Sequence, residues 1–108
     1  MFWEIIVFVT AASAVALGCL LPATWLPPLP HDKLLHFVAF AGLSALALHI
    51  EPAWMGRALW LLGLLLAGLA IELLQKLVPG RSFCWRDMRA NTAGIAAATL
   101  VFGLLQVI

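Results

Sequence analysis

Five polar side chains stand in otherwise apolar segments of this chain, with types and spacings that could bind a ligand or move a proton. Glu72 and Gln75 are three residues apart, and Asp87 and Asn91 are four apart, so each pair would share one face of a helix. His36 lies in a third apolar segment. An imidazole near carboxylates can perform general acid–base chemistry, and carboxylates and amides also hold polar ligands. These five residues are the first candidates for a site.

Basic residues flank these candidates in the sequence. Lys33 precedes His36 by three positions, and Arg81 lies between the segments that carry Glu72 and Asp87. Arginine makes bidentate contacts with phosphate, and lysine contributes a mobile positive charge, so the pair would favour an anionic ligand. Three further basic residues are most simply interpreted as anchors to lipid headgroups: Lys76, Arg86 and Arg89.

The composition sets the solvent in which these residues must act. Of the 108 residues, 65% are hydrophobic and 10% are charged, and the mean hydropathy is +1.09. An ordinary soluble domain has about 45–50% apolar and about 25% charged residues, and a small one leaves much of its surface in water. This excludes a cytosolic globular enzyme, a nucleic-acid binder and a disordered tail. The sequence indicates a protein whose solvent is a lipid bilayer.

Four apolar segments are long enough to cross a bilayer, which takes about 20 residues each. Turn and stop signals at Pro22, Glu51-Pro52 and Pro79-Gly80 separate them. The start of the chain lacks the basic residues of a signal peptide, so we expect the first segment to be retained. We predict an all-α integral membrane four-helix bundle with short loops, forming one domain over residues 1–108. Its spans are residues 2–21, 33–50, 54–78 and 87–107.

Four spans place the loops around residues 22–33 and 79–87 on one side of the membrane. The five candidate residues all lie in the half of the bilayer nearest those loops, so we expect them to meet, with Lys33 and Arg81 at the rim. Asp32 has the position of a helix N-cap, and Gly94 would let another helix approach closely, so both are assigned structural roles.

A purely structural interpretation competes with a ligand site. Glu72 could form an ion pair with His36 or Arg81 that locks the bundle, and Gln75 and Asn91 could supply only interhelical hydrogen bonds. The two cysteines, Cys19 and Cys84, match no metal or haem spacing. The sequence therefore predicts no cofactor and no metal ion, and it leaves the redox state of the cysteines open.

The order and spacing of the polar residues resembles the VanZ-like family. The matching motifs are Asp32-Lys33-x-x-His36-Phe37, Glu72-x-x-Gln75, Pro79-Gly80-Arg81-Ser82-Phe83 and Asp87-x-x-x-Asn91-x-x-Gly94. Each motif alone is weak, but the four together on a four-span chain are specific. The resemblance implies a small polytopic protein of the bacterial cytoplasmic membrane. The namesake of the family is associated with teicoplanin resistance, a role that we do not carry over to this chain.

The two indicators of membrane orientation disagree. Five basic residues fall on the side of the two motif loops and only Arg57 on the other, so the positive-inside rule predicts that the motif side is cytoplasmic. The family resemblance implies the opposite, with both termini cytoplasmic and the motif loops outside. We expect the family orientation, because basic residues that serve a site are poor indicators of topology.

Three functions fit these observations. The first is binding or handling of an anionic cell-envelope component, a lipid phosphate or lipid-linked precursor, by the five candidate residues with Lys33 and Arg81. The second is a structural or assembly role within the membrane, alone or as a homo-oligomer. The third is an intramembrane hydrolase or transferase acting on a lipid-linked substrate. In it His36 would be the general base, Glu72 or Asp87 would orient the imidazole or hold a metal, and Arg81 would stabilise developing phosphate charge. The charged set contains no nucleophile with an activating partner, which favours a protein that is not an enzyme. Membrane lipids are the expected partners, and nucleic acid is not.

Overall fold

Four α-helices make up the structure, a computed structural model that describes residues 2–20, 32–78 and 85–107, with side chains from residue 34 in the second of these ranges. The helices are α1 (Phe2–Leu20), α2 (Asp32–Ile50), α3 (Trp54–Gln75) and α4 (Trp85–Val107), and the described ranges contain no strand. This confirms the predicted all-α bundle. The predicted and observed ends differ most at α3, which ends at Gln75 and continues as a turn over residues 76–78.

The outer surface of the bundle is suited to lipid. Helices α1, α3 and α4 are long and apolar enough to cross a membrane, and α2 carries a shorter apolar stretch over Leu34–Ile50. Large hydrophobic side chains remain exposed along all four helices, for example Leu17, Val38, Leu59 and Leu100. Two hydroxyls on α4 are satisfied within their own helix, since Thr92 and Thr99 donate to carbonyls four residues earlier.

Contacts at the helix ends define the direction of each helix. Near the start of α1, Glu4 Oε2 lies 3.8 Å from His49 Nε2 near the end of α2, so these two helices are antiparallel. Near the starts of α2 and α4, His36 contacts Asp87 and Asn91, so these two helices run parallel. The up-and-down order therefore brings the end of α1, the start of α2, the end of α3 and the start of α4 to one end of the bundle.

Helices α2 and α4 pack most closely because one residue has no side chain. A Cβ atom added to Gly94 would lie 2.9 Å from the Ala41 nitrogen and would press on the Phe37 carbonyl oxygen. Only glycine allows the backbones to approach this far. Gly94 therefore lies at the point of closest approach between α2 and α4.

A small apolar core lies between the end of the bundle where α2 and α4 begin and the α2–α3 turn. Leu43, Ala47 and Leu64 are buried at its centre. Seven partly buried residues from α1, α3 and α4 pack around them: Phe8, Ala11, Ala12, Val15, Trp60, Leu61 and Ile95. Helix α1 has no buried residue of its own and packs on α2 and α3 from outside. Its main aromatic contact is Phe8 edge-to-face on Trp60, with 5.1 Å between ring centroids.

Candidate functional site

A cluster of buried polar side chains occupies the end of the bundle where α2 and α4 begin. His36, Glu72, Gln75, Asp87 and Asn91 are each at most 8% exposed, and Glu72 is fully buried. We call His36, Glu72, Asp87 and Asn91 the polar cluster. Each of the three helices α2, α3 and α4 supplies at least one of its members, so the cluster exists only in the folded bundle.

His36 is held between two residues of α4. Its Nδ1 atom lies 3.1 Å from Asn91 Oδ1, and its Nε2 atom lies 3.6 Å from Asp87 Oδ2. An amide oxygen can only accept, so Nδ1 carries the hydrogen in this contact. The Asn91 contact thereby fixes the ring orientation and directs Nε2 towards the carboxylates. Asn91 also places its amide nitrogen 4.0 Å from the Met88 sulfur.

Glu72 completes a group of three ionisable residues. One ligand-type atom from each of His36, Glu72 and Asp87 lies within 4.8 Å of the other two. Asp87 is in the first turn of α4, and His36 is in the second turn of α2, so the positive ends of two parallel helix dipoles point into this region. Such helix ends favour negative charge by about 0.3–1 kcal/mol each, and up to about 2 kcal/mol when partly buried. The arrangement stabilises carboxylates and is suited to a cation or to proton exchange with the imidazole.

Gln75 serves the attachment of the outermost helix. Its amide nitrogen donates to the Cys19 carbonyl oxygen at 2.7 Å, which ties the end of α3 to the end of α1. Helix ends leave carbonyls without intrahelical partners, and this side chain satisfies one of them. Gln75 therefore lies beside the polar cluster, one turn from Glu72, but its observed hydrogen bond is to backbone.

Gly68 supports the cluster in a way that the sequence analysis missed. A Cβ atom at this position would lie 3.1 Å from Asn91 Nδ2 and 3.1 Å from the ring of Phe40. Its small size therefore leaves room for Asn91 between α3 and α4. A glycine in an apolar helix gives no sign in the sequence of what it accommodates.

Arg57 lies at the opposite end of the bundle and is buried. From the sequence it contributes only to the count of basic residues on each side of the membrane. Its single Nε–H is shared between the carbonyl oxygens of Leu48, at 3.1 Å from Nε, and Glu51, at 2.6 Å. Its guanidinium also lies 4.7 Å from the ring centroid of Trp54 and 4.6 Å from that of Phe102. Arg57 therefore closes the end of α2, where a positive charge is favoured. An arginine in the first turn of an otherwise apolar helix, shortly after the preceding helix ends, is the signal that could have identified it.

The remaining predicted site residues fall in two groups. One group lies outside the described residues: Arg81 and Cys84 entirely, and Asp32 and Lys33 with their side chains only. Three basic residues predicted as headgroup anchors are exposed, as that role requires: Lys76, Arg86 and Arg89. Ser44, to which no role was assigned, is fully buried, and its hydroxyl has no hydrogen-bond partner among the described residues.

The fold and the polar cluster together define a class: a membrane-spanning four-helix bundle with buried ionisable residues at one end. The family model described as VanZ/LLP1 matches residues 2–106, nearly the whole chain. The protein belongs to the VanZ/LLP1 family, which confirms the resemblance seen in its motifs. No curated protein and no solved structure matches the chain.

Proposed function

We propose that this protein binds an anionic component of the cell envelope, a lipid phosphate or a lipid-linked precursor, at the end of the bundle that carries the polar cluster. The observation that carries the proposal is the burial of His36, Glu72, Asp87 and Asn91 together at the end of the bundle where α2 and α4 begin. Ionisable groups within membrane spans are costly, and a site that binds polar molecules is the usual reason for their presence.

In the proposal the basic residues bind the ligand and the acidic residues position the basic ones. Arg81 lies by chain order in the connection from Val78 to Trp85, and Lys33 lies three residues before His36. These two cations would engage a phosphate, whereas Glu72 and Asp87 would hold the cations in position. Asn91 and Gln75 would contact uncharged polar parts of the ligand. The lipid chains would lie against the exposed apolar surface of the helices.

The test is a binding measurement with two defined lipids. Full-length protein in detergent is titrated with a polyprenyl phosphate and, separately, with phosphatidylglycerol, and binding is read by the change in intrinsic tryptophan fluorescence. We expect Arg81→Ala to abolish binding without changing the size-exclusion profile. Arg89→Ala, an exposed cation on the same side, is the matched control and should bind as the unmodified chain does. Equal binding by both variants would exclude the proposed role of Arg81.

The second candidate is a structural role, and two contacts favour it. The His36–Asn91 and Gln75–Cys19 hydrogen bonds each join two helices, at 3.1 Å and 2.7 Å. Such bonds stabilise membrane bundles by about 0.6–2 kcal/mol each. If the cluster serves only packing, Glu72→Gln and Asp87→Asn should lower thermal stability and cause no separate binding defect.

The proposed orientation places the polar cluster outside the cytoplasm, as the family resemblance implies. It can be tested with single cysteines in a chain whose Cys19 and Cys84 have been replaced by alanine. Met55→Cys and Lys76→Cys place exposed thiols at opposite ends of the bundle. A reagent that cannot cross the membrane should label the position 76 thiol in intact cells, and the position 55 thiol only after lysis. The reverse pattern would place the cluster in the cytoplasm.

A further inference from the structure

We infer that His36, Glu72 and Asp87 form a binding site for one divalent transition-metal ion of the Zn²⁺ type. The three residues come from three helices, they are at most 8% exposed, and their ligand atoms lie within 4.8 Å of one another. Imidazole nitrogen and carboxylate oxygen are both ordinary zinc ligands. The members are 36 and 15 positions apart along the chain, so only the packing of the helices brings their ligand atoms together.

The distances suit an ion after a small adjustment. Tetrahedral zinc has ligands at about 2.0–2.2 Å, which places neighbouring ligand atoms about 3.4 Å apart. The separation of His36 Nε2 and Asp87 Oδ2 is 3.6 Å, close to that value. No separation within the group exceeds 4.8 Å, so a shift of the Glu72 or Asp87 carboxylate by at most about 1.4 Å would close the site.

Asn91 has the role of an outer partner of the metal ligand. Metal-binding histidines usually donate their second ring hydrogen to a fixed oxygen, which sets the tautomer and directs the free lone pair to the metal. The contact from His36 Nδ1 to Asn91 Oδ1 is of this kind. It leaves Nε2 facing Asp87, where the carboxylate lies.

The ligand types select the kind of ion. One nitrogen and two oxygens suit Zn²⁺, Mn²⁺ or Fe²⁺, whereas Mg²⁺ prefers oxygen ligands alone and keeps several waters. Three protein ligands would leave a coordination position for an outside oxygen. That position would take an oxygen of the anionic envelope component, and only this last statement rests on the proposed function.

The test measures metal directly and needs no envelope ligand. Full-length protein carrying an affinity tag without histidine is stripped with a chelator, incubated with Zn²⁺ or Mg²⁺, desalted and analysed by mass spectrometry for bound metal. A competing chromophoric chelator gives the affinity. We expect about one Zn²⁺ per chain and no retained Mg²⁺. Folded protein that retains no Zn²⁺ would overturn the inference, and binding of a lipid phosphate could still be observed.

Matched variants assign the metal to the three residues. Glu72→Gln and His36→Gln keep the approximate shape and should weaken Zn²⁺ binding by at least about 100-fold, while Asn91→Ala should weaken it by about 10–100-fold. Glu51→Gln and His49→Gln change the same residue types at the opposite end of the bundle and should have no effect. Equal Zn²⁺ binding by cluster and control variants would show an adventitious ion only.

A ligand exchange keeps the test decisive even if the glutamine variants do not fold. Asp87→Cys should bind Co²⁺ with a thiolate-to-metal absorption band in the near ultraviolet. The unmodified chain and Asp87→Ser should lack this band, although both retain Cys19 and Cys84. Co²⁺ binding by Asp87→Cys without the band would exclude residue 87 as a ligand.

Discussion

The contact between α2 and α4 at Gly94 predicts that a single added methyl group separates the two helices that carry His36, Asp87 and Asn91. In Gly94→Ala the new carbon would lie 2.9 Å from the Ala41 nitrogen, 3.3 Å from the Phe37 carbonyl carbon and closer still to the carbonyl oxygen. All three obstructing atoms are backbone. No change of side-chain rotamer can relieve the overlap, so α4 must move away from α2.

The size of the effect follows from the distances. Non-bonded carbon contacts are most favourable at about 3.5–4.0 Å, so the helices must separate by about 0.5–1 Å at this point. Overpacking of this kind costs about 1–3 kcal/mol, partly offset by the better helix propensity of alanine, which is about 0.8–1.0 kcal/mol. We expect a net loss of about 1–2 kcal/mol in the free energy of unfolding. Because Asn91 is one turn from Gly94 and His36 is next to Phe37, the 3.1 Å His36–Asn91 hydrogen bond should lengthen beyond 3.5 Å and break.

The assay is reversible unfolding in mixed detergent micelles, followed by circular dichroism. Gly42→Ala on α2 and Gly103→Ala on α4 are the controls, since an added Cβ at either position meets nothing within 4 Å. Both controls should be as stable as the unmodified chain or slightly more stable. If Gly94→Ala unfolds at the same denaturant concentration as these controls, the close approach of α2 and α4 is wrong.

Two other positions give independent predictions. Arg57→Met removes the shared Nε–H hydrogen bond to the Leu48 and Glu51 carbonyls and the contacts with two aromatic rings. It should destabilise the bundle by about 1.5–3 kcal/mol in the same assay. Arg57→Lys should recover part of the loss, and equal stability of all three chains would show that the buried guanidinium contributes nothing. Gln75→Leu removes the hydrogen bond to α1 and should cost about 0.6–2 kcal/mol. Gln106→Leu, an exposed control on α4, should change stability little, and a loss as large as that of Gln75→Leu would rule out a specific effect of the α1 contact.

The helices could be predicted from the sequence because membrane spans are long and their ends are marked. Hydrophobic runs of about 20 residues and proline or glycine stops located all four segments. The juxtaposition of His36, Glu72 and Asp87 also followed, since an up-and-down bundle has to bring alternate helix ends together. These inferences depend only on segment length and chain direction.

The closest helix pair could not be predicted in the same way. The short turn near Glu51 indicates that α2 and α3 are neighbours, which they are, but the tightest packing joins α2 to α4. That choice depends on the shape of two surfaces at Gly94 and Phe37 and not on connection length. The role of Arg57 escaped prediction for a similar reason, because its carbonyl partners become visible only when the turn is folded. The role of Gly68 also escaped prediction, because it depends on the space that the Asn91 side chain occupies in the folded bundle.

The energetics of Glu72 separate a ligand site from a structural lock. Helix ends contribute at most about 2 kcal/mol to a buried carboxylate, whereas removing an ionised group from water costs several kcal/mol even after relaxation. A residue kept for a cation or a ligand should therefore reduce the stability of the protein when that cation is withheld. We predict that Glu72→Gln melts at a higher temperature than the unmodified chain in the presence of a chelator. Added Zn²⁺ should raise the melting temperature of the unmodified chain and leave that of Glu72→Gln unchanged. Glu51→Gln, measured alongside, should respond to Zn²⁺ as the unmodified chain does. A lower melting temperature for Glu72→Gln under chelation, with no response of either chain to Zn²⁺, would instead assign Glu72 to helix packing.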